Sequence, residues 1–129
     1  MNIWIIDDDL VSQFATQYRI EQTKGSCCIK TFDSASQALK SIVAQLATDG
    51  VLPDVLLLDL IMPIMNGWEF LEELGKIYPV KKNIKVYVLS AFNNYKDRDL
   101  AKEHPLVHGY FDKPLSEINA DKIVEAIKS

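Results

Sequence analysis

The chain has 129 residues, which suits one domain with a single hydrophobic core. Its 18 acidic side chains outnumber its 14 lysines and arginines, and the net charge of -4 argues against direct binding to nucleic acid or to an anionic membrane. No apolar stretch approaches the roughly 20 residues that span a bilayer, so a cytoplasmic protein is predicted. The two cysteines, Cys27 and Cys28, are adjacent and are expected to be reduced.

The first half of the chain alternates predicted strands with predicted helices. A short apolar run at residues 2–6 predicts a strand, and the apolar residues after it recur at helical spacing: Leu10, Val11, Phe14, Ala15 and Tyr18. A second strand is predicted at residues 27–32. Ser34 and Gln37 then form a capping-box pattern, which opens a helix with the apolar stripe Ala35, Ala38, Leu39, Ile42, Val43 and Leu46.

The second half of the chain continues this alternation. Residues 55–58 are apolar without a break, which is typical of a strand buried on both faces, and the helix after them carries Phe70, Leu71, Leu74, Ile77 and Tyr78. Further strands are predicted at residues 84–89 and 107–111. Between them, residues 93–103 are mostly charged, so any helix there should be weakly held and mobile. The last helix is predicted to turn an apolar face toward the sheet, formed by Leu115, Ile118, Ile123, Val124 and Ile127.

Five strands that alternate with five helices through short connections predict an α/β domain, in which a parallel sheet packs between helices. In such doubly wound sheets, ligands bind at the carboxyl ends of the strands. Three acids are expected at this edge, because Asp7 and Asp8 follow the first strand and Asp59 follows the third. Carboxylates brought together repel one another unless a cation neutralises them, and hard oxygen ligands suit Mg²⁺.

Two further polar residues are predicted at the same edge. Ser90 ends the fourth strand and offers a hydroxyl group, and Lys113 follows the fifth strand and offers an ammonium group. A central carboxylate with a hydroxyl donor, a cation and a metal suits a phosphoryl group that arrives on Asp59.

The chain resembles the receiver domain of two-component response regulators. The resemblance covers nearly the whole chain and rests on motifs that follow the strands in order: Asp7-Asp8, Asp59 with Met62-Pro63 and Asn66-Gly67, Ser90-Ala91, and Lys113-Pro114. It implies a flavodoxin-like (βα)5 fold, with a five-stranded parallel sheet in the strand order 2-1-3-4-5. It also implies that residues 1–129 form a single receiver domain.

The resemblance assigns roles to the residues at this edge. Asp59 would be the phosphoacceptor, receiving its phosphoryl group from a sensor histidine kinase or a histidine phosphotransfer protein. Ser90 and Lys113 would hold the oxygens of that group. Mg²⁺ would be the cofactor, and the chain would bind it through the carboxylates of Asp8 and Asp59, the main-chain carbonyl of Ile61, and Asp7 by way of a water molecule.

The implied output is a switch in protein–protein binding. Ser90 would move toward the phosphoryl group and Tyr110 would fill the space that it leaves. This movement would change a surface for a downstream protein target, formed by residues 93–103, Tyr110 and the last helix. The chain departs from the common family pattern at Ile61 and Phe92, which are bulky and apolar and cannot orient a water molecule. Slow hydrolysis of the phosphoryl group is therefore predicted.

Two other functions use a similar set of residues. A haloacid-dehalogenase-like phosphatase also has an aspartate nucleophile with Mg²⁺, but it needs a second acid two residues later, where this chain has Ile61. A pseudo-receiver that binds a partner without phosphorylation would be expected to lose an acid, the hydroxyl or the lysine, and none is lost. We therefore expect a phosphoacceptor signalling domain rather than an enzyme. The sequence ends shortly after the last predicted helix, so a stand-alone receiver without an attached output domain is expected, unless the sequence is a segment of a larger hybrid kinase.

Overall fold

Five strands and five helices alternate along the chain in a computed structural model that describes residues 1–25, 27–77, 84–91 and 95–128. In chain order they are β1 (Asn2–Ile6), α1 (Leu10–Glu21), β2 (Cys28–Phe32), α2 (Ala35–Ala47), β3 (Val55–Asp59), α3 (Gly67–Ile77), β4 (Lys85–Ser90), α4 (Tyr95–Glu103), β5 (Val107–Asp112) and α5 (Glu117–Lys128). The strands form one parallel sheet in the order β2-β1-β3-β4-β5. The predicted α/β fold and strand order are confirmed.

The central strand β3 lies between β1 and β4, and all of its residues are buried. One hydrophobic cluster lies on the face covered by α2 and α3 and includes Leu58 and Phe70. A second cluster lies on the face covered by α1 and α5 and includes Leu57 and Ile123. Successive residues of a strand point to opposite faces, so β3 supplies apolar side chains to both clusters. This explains why its sequence is apolar without alternation.

The apolar stripe that the sequence predicts for α1 faces solvent instead of the core. Four large apolar side chains of this helix are exposed: Leu10, Val11, Phe14 and Tyr18. The helix buries Thr16 and Ile20, and the Thr16 hydroxyl donates to the Ser12 carbonyl at 3.0 Å, which satisfies it in the buried position. The predicted helix is confirmed, but helical spacing alone does not show which side of a helix packs against the sheet.

The helix α4 is anchored by polar contacts that the sequence did not predict. Its Ala101 is buried. Arg98 Nη2 lies 3.2 Å from both carboxylate oxygens of Asp112 on β5. Trp68 Nε1 on α3 donates to Asp97 Oδ1 at 3.3 Å. The helix is therefore tied to two neighbouring elements, and its predicted mobility stays a prediction.

The apolar face of α5 is narrower than predicted. Ile123 and Val124 are buried, as is Leu115 before the helix, but Ile118 is 70% exposed. Ile118 and Ile123 are five residues apart, which separates them by about 140° around a helix. The prediction that Ile118 faces the sheet is wrong, because a helix can turn only one side toward it.

Other expectations concern the cysteines, the membrane and particular residues. Neither Cys27 nor Cys28 forms a disulfide. Within the described ranges, no helix has the length and apolar character needed to cross a membrane. The predictions that involve Tyr78, Phe92 and residues 93–94 lie outside the described residues.

Candidate functional site

Parallel pairing brings the ends of β1 and β3 together. Ile6 pairs with Leu58, so the next residue of each strand, Asp7 and Asp59, emerges at the carboxyl edge of the sheet beside the other. Asp7 is 2% exposed and Asp59 is 8% exposed, whereas Asp8 is exposed to solvent. Two buried acids and one exposed acid therefore share this edge.

The strands β4 and β5 bring a hydroxyl group and an ammonium group to the same edge. Ser90 is the last residue of β4, is buried, and pairs with Asp112 at the end of β5. The main-chain N–H of Lys113, the next residue, donates to the Ser90 carbonyl at 2.8 Å. Ser90 and Lys113 therefore lie at the edge that holds the acids. The Lys113–Pro114 peptide bond is cis.

The carboxylates of Asp7, Asp8 and Asp59 form one cluster. Each contributes an oxygen atom, and the three oxygens lie within 4.8 Å of one another. Lys113 joins this acidic cluster, because its Nζ donates to Asp7 Oδ2 at 2.7 Å and lies 3.5 Å from Asp59 Oδ2. The shorter distance shows that the ammonium group is bound mainly to Asp7 and offsets the charge of Asp59 only in part.

Burial changes the acidity of Asp59. Desolvation is the largest influence and raises the pKa of this carboxyl from its usual 3.8 to about 6. The Lys113 ammonium lowers the pKa, the Asp7 carboxylate raises it, and the Ile61 N–H, which donates to Asp59 Oδ1 at 3.3 Å, lowers it. A group with a pKa of about 6 is mainly ionised at neutral pH. Asp59 is thus a buried carboxylate whose charge the chain compensates incompletely.

Asp7 is held through its main chain as well as its carboxylate. Its N–H donates to the Phe32 carbonyl at 3.0 Å, and its Oδ1 accepts from the Asp9 N–H at 3.0 Å. Its carbonyl accepts from Gln13 Nε2 on α1 at 3.1 Å. Sequence reasoning missed Gln13, since a lone glutamine in the first turn of a helix is ordinarily a solvated surface residue.

Gly67 lets α3 approach the end of β3 closely. A Cβ atom at this position would lie 2.7 Å from the main-chain oxygen of Asp59 and 2.8 Å from Leu60 Cα. Any larger residue would therefore displace the segment that carries Asp59. The Asn66-Gly67 motif thus has a packing reason in this chain, because it allows the start of α3 to lie against the acidic cluster.

The acidic cluster fits a hard divalent cation. Three carboxylates and one ammonium leave two negative charges uncompensated, which a dication would balance. Carboxylate oxygens are ligands that Mg²⁺ prefers. The exposed position of Asp8 opens the cluster to solvent. Asp7, Asp8 and Asp59 are therefore the residues that could hold the metal.

The family of this chain is shown by its match to a family model. A family model described as the response regulator receiver domain matches residues 3–128. This chain belongs to the response regulator receiver domain family. Receiver domains are phosphoacceptor signalling domains rather than classical enzymes, and phosphoryl acceptance is their general function. They typically bind Mg²⁺ at an acidic pocket and interact with histidine kinases and phosphotransfer proteins.

Similar proteins agree with this assignment. A two-component response regulator from Cytophaga hutchinsonii has a TM-score of 0.91 at 24% identity, over 98% of this chain and 96% of that chain. Another from Legionella pneumophila has a TM-score of 0.83 at 30% identity, over 99% and 98% of the two chains. The transcriptional regulatory protein DegU of Brevibacillus brevis is 38% identical over 76 residues, which are 59% of this chain and 29% of DegU. The match with this receiver domain thus covers less than a third of that relative.

Two further residues of this receiver domain, Ile61 and Tyr110, have predicted roles. Ile61 is 54% exposed, two residues after Asp59. Tyr110 is half-buried on β5, and the guanidinium carbon of Arg98 lies 5.2 Å from the centre of its ring. The roles of Ile61 as a metal ligand and of Tyr110 as a switch stay predictions.

Proposed function

We propose that this receiver domain accepts a phosphoryl group on Asp59 and thereby switches its binding to a downstream protein target. The donor is a phosphohistidine on a sensor kinase or a histidine phosphotransfer protein, and the reaction depends on Mg²⁺. The observation that carries the proposal is the environment of Asp59, a buried carboxylate with a pKa of about 6 beside Lys113 and two other carboxylates.

The transfer is a displacement at phosphorus. An oxygen of the Asp59 carboxylate donates an electron pair to the phosphorus atom while the phosphorus–nitrogen bond of the phosphohistidine breaks. The imidazole nitrogen keeps the electrons of that bond and takes up a proton, and an acyl phosphate remains on Asp59. Such a transfer requires positioning and charge neutralisation above all.

The residues around Asp59 are suited to hold the transferred group. Lys113 Nζ lies 2.7 Å from Asp7 and 3.5 Å from Asp59, so a small movement would let it pair with a phosphoryl oxygen. Ser90 would donate its hydroxyl to another oxygen. The metal, when bound, neutralises charge on the phosphoryl oxygens. Its proposed ligands in the chain are the carboxylates of Asp8 and Asp59, the carbonyl of Ile61, and Asp7 through water.

The exposed face of α1 suits the phosphotransfer partner. Leu10, Phe14 and Tyr18 are four residues apart, so they form one stripe along the helix, and all three are exposed. Exposed apolar stripes of this kind mark binding surfaces for other proteins. The stripe begins directly after Asp8 and the helix cap Asp9. A helical partner that covers it would hold its phosphohistidine beside Asp59.

Another exposed apolar residue lies in the loop that follows Asp59. Ile64 follows Asp59 in the β3–α3 loop, is fully exposed, and has a φ of 69°. A β-branched residue is strained in this left-handed conformation, and such strain is retained mainly where function requires it. Contact with the same partner would explain why isoleucine occupies this position.

The output surface is proposed at α4, β5 and α5. Arg98 binds Asp112, next to Lys113, and also lies over the Tyr110 ring. Movement of Tyr110 or of the end of β5 would therefore disturb the anchor of α4. Ile118 on α5 is exposed on this proposed surface and is available to a downstream target.

One experiment tests the chemistry directly. The protein is incubated with acetyl phosphate and Mg²⁺, and intact mass spectrometry measures the added phosphoryl group. Wild type should gain this mass, whereas Asp59→Asn, or wild type with EDTA, should not. Asp54→Asn is a matched control, because Asp54 precedes the opposite end of β3 and should not affect phosphorylation. Phosphorylation of Asp59→Asn to the wild-type level would overturn the assignment.

A second experiment separates docking from chemistry. Phe14→Ser shortens an exposed side chain of α1 and leaves the acidic cluster unchanged. It should slow phosphorylation by a phosphohistidine protein while leaving phosphorylation by acetyl phosphate at the wild-type rate. Equal slowing with both donors would contradict the proposed role of the α1 face.

A further inference from the structure

The side chain of Gln13 links α1 to the ends of two strands. Gln13 lies in the first turn of α1, where its N–H donates to the Asp9 carbonyl at 2.9 Å. Its side-chain Nε2 donates to the Asp7 carbonyl at 3.1 Å and to the Phe32 carbonyl at 3.2 Å. One amide group therefore binds the residue after β1 and the last residue of β2.

These bonds control the orientation of one particular peptide. The carbonyl of Asp7 and the N–H of Asp8 belong to the same planar unit, so a donor that fixes the carbonyl also fixes the direction in which the chain enters Asp8. Asp7 and Asp59 are buried and held by their surroundings, but Asp8 is exposed. The main chain of Asp8 therefore determines where its carboxylate lies, to a greater extent than for the two buried carboxylates.

We propose that Gln13 is a positioning residue for the metal site. By holding the Asp7–Asp8 peptide, it keeps the Asp8 carboxylate within 4.8 Å of the other two, at the spacing that a small cation needs. This inference rests on the proposed function, because it assigns Gln13 to the Mg²⁺ site of that function. Residues outside the ligand set that orient the ligands commonly affect metal affinity by 10- to 100-fold.

A purely structural role for Gln13 predicts a different outcome. Loss of its two hydrogen bonds would then reduce the stability of the fold without changing the preference of the folded protein for one cation over another. A positioning role predicts a change in that preference. Mg²⁺ demands nearly ideal octahedral geometry, whereas Ca²⁺ tolerates irregular ligand positions. A loosened site should therefore lose Mg²⁺ affinity and keep most of its Ca²⁺ affinity.

The test compares Gln13→Met with wild type by titration of the ¹⁵N-labelled protein with MgCl₂ and separately with CaCl₂. Methionine preserves the length and most of the volume of the side chain but cannot donate. Backbone amide shifts give each dissociation constant, at a temperature where circular dichroism shows both proteins folded. Gln17→Met is the matched control, because Gln17 lies one turn further along the same helix.

The expected result is about tenfold weaker Mg²⁺ binding in Gln13→Met, with Ca²⁺ binding changed by less than about threefold. Gln17→Met should behave as wild type. Unchanged Mg²⁺ affinity in Gln13→Met, or an equal loss for both cations, would overturn the positioning role. If Gln13→Met does not fold, Gln13→Asn, whose shorter amide does not reach both carbonyls, gives the same comparison. Failure of the wild type to bind Mg²⁺ would instead refute the proposed function and this inference with it.

Discussion

Replacement of Asp59 by asparagine should stabilise the receiver domain at neutral pH when Mg²⁺ is absent. Burial raises the pKa of Asp59 from 3.8 to about 6, so the folded state holds this proton more tightly than the unfolded state. The resulting stabilisation is fully present below pH 3.8 and is lost as the pH rises through about 6. Above that pH the ionised carboxylate opposes folding, and asparagine removes its charge with little change in volume.

The magnitude follows from the same pKa. The difference between 3.8 and about 6 corresponds to about 3 kcal/mol in the free energy of unfolding. This value already includes the attraction of Lys113 for Asp59, because that ammonium group lowers the pKa, and Lys113 retains its bond to Asp7 at 2.7 Å in the variant. The gain in unfolding free energy of Asp59→Asn over wild type should be small at about pH 4 and should reach nearly its full value at about pH 7.5.

Urea unfolding in EDTA at a series of pH values measures this effect. The quantity of interest is the difference in unfolding free energy between Asp59→Asn and wild type, since other titrating groups largely cancel in it. Asp121→Asn, which alters an exposed aspartate on α5, is the control and should show almost no pH-dependent difference. An Asp59→Asn protein less stable than wild type at neutral pH would refute the reasoning, as would a difference that does not vary with pH.

Four further outcomes are expected. Mg²⁺ at ten times its dissociation constant should raise the unfolding free energy of wild type by about 1.4 kcal/mol and that of Asp59→Asn by much less. Equal increases for the two proteins in urea titrations would contradict a metal site that includes Asp59. Ile61→Asn should shorten the lifetime of the phosphorylated protein, because asparagine can orient a water molecule; an unchanged decay by mass spectrometry would remove the idea. Ile64→Asn should raise the free energy of unfolding by about 1 kcal/mol, because asparagine tolerates the left-handed conformation and the fully exposed isoleucine loses no packing. A lower denaturation midpoint in urea would show that Ile64 is not strained. Arg98→Met should lower the free energy of unfolding by about 1 kcal/mol or less, since its partner Asp112 is well exposed. It should also speed hydrogen exchange of the α4 amides, and wild-type protection of these amides would mean that the Arg98–Asp112 pair does not anchor the helix.

Much of the fold could be predicted from local patterns in the sequence. The uninterrupted apolar run of β3 indicated a central strand, and the alternation of strands and helices indicated a parallel sheet. The orientation of α1 could not be predicted, because its most apolar stripe, with Phe14 and Tyr18, faces solvent and Thr16 faces the core. Periodicity measures where apolar residues fall on a helix, and a surface kept for a partner gives the same pattern as a core face.

The candidate site likewise has features that the sequence predicts and contacts that it does not. The placement of Asp7, Asp59, Ser90 and Lys113 at one edge follows from strand ends in a parallel sheet and needs no knowledge of side-chain contacts. The closer approach of Lys113 to Asp7 than to Asp59 depends on side-chain positions, as does the bond from Gln13 to the Asp7 carbonyl. Such contacts join residues on different elements, and neither residue type nor spacing encodes them.

The charge of phosphorylated Asp59 sets a requirement for the proposed switch. Phosphorylation replaces a carboxylate with an acyl phosphate that carries up to about two negative charges, so it adds to the buried charge and does not neutralise it. A change from 1:99 to 99:1 between two conformations requires about 10⁴-fold, or about 5.5 kcal/mol. This free energy must come from contacts that form only after phosphorylation, and it is the size of about two to four hydrogen bonds to a charged group. Lys113 and Ser90 are the donors at this edge that can supply them, and Lys113 must partly leave Asp7 to do so. The pairing of Lys113 with Asp7 therefore opposes the switch, and phosphorylation must overcome it.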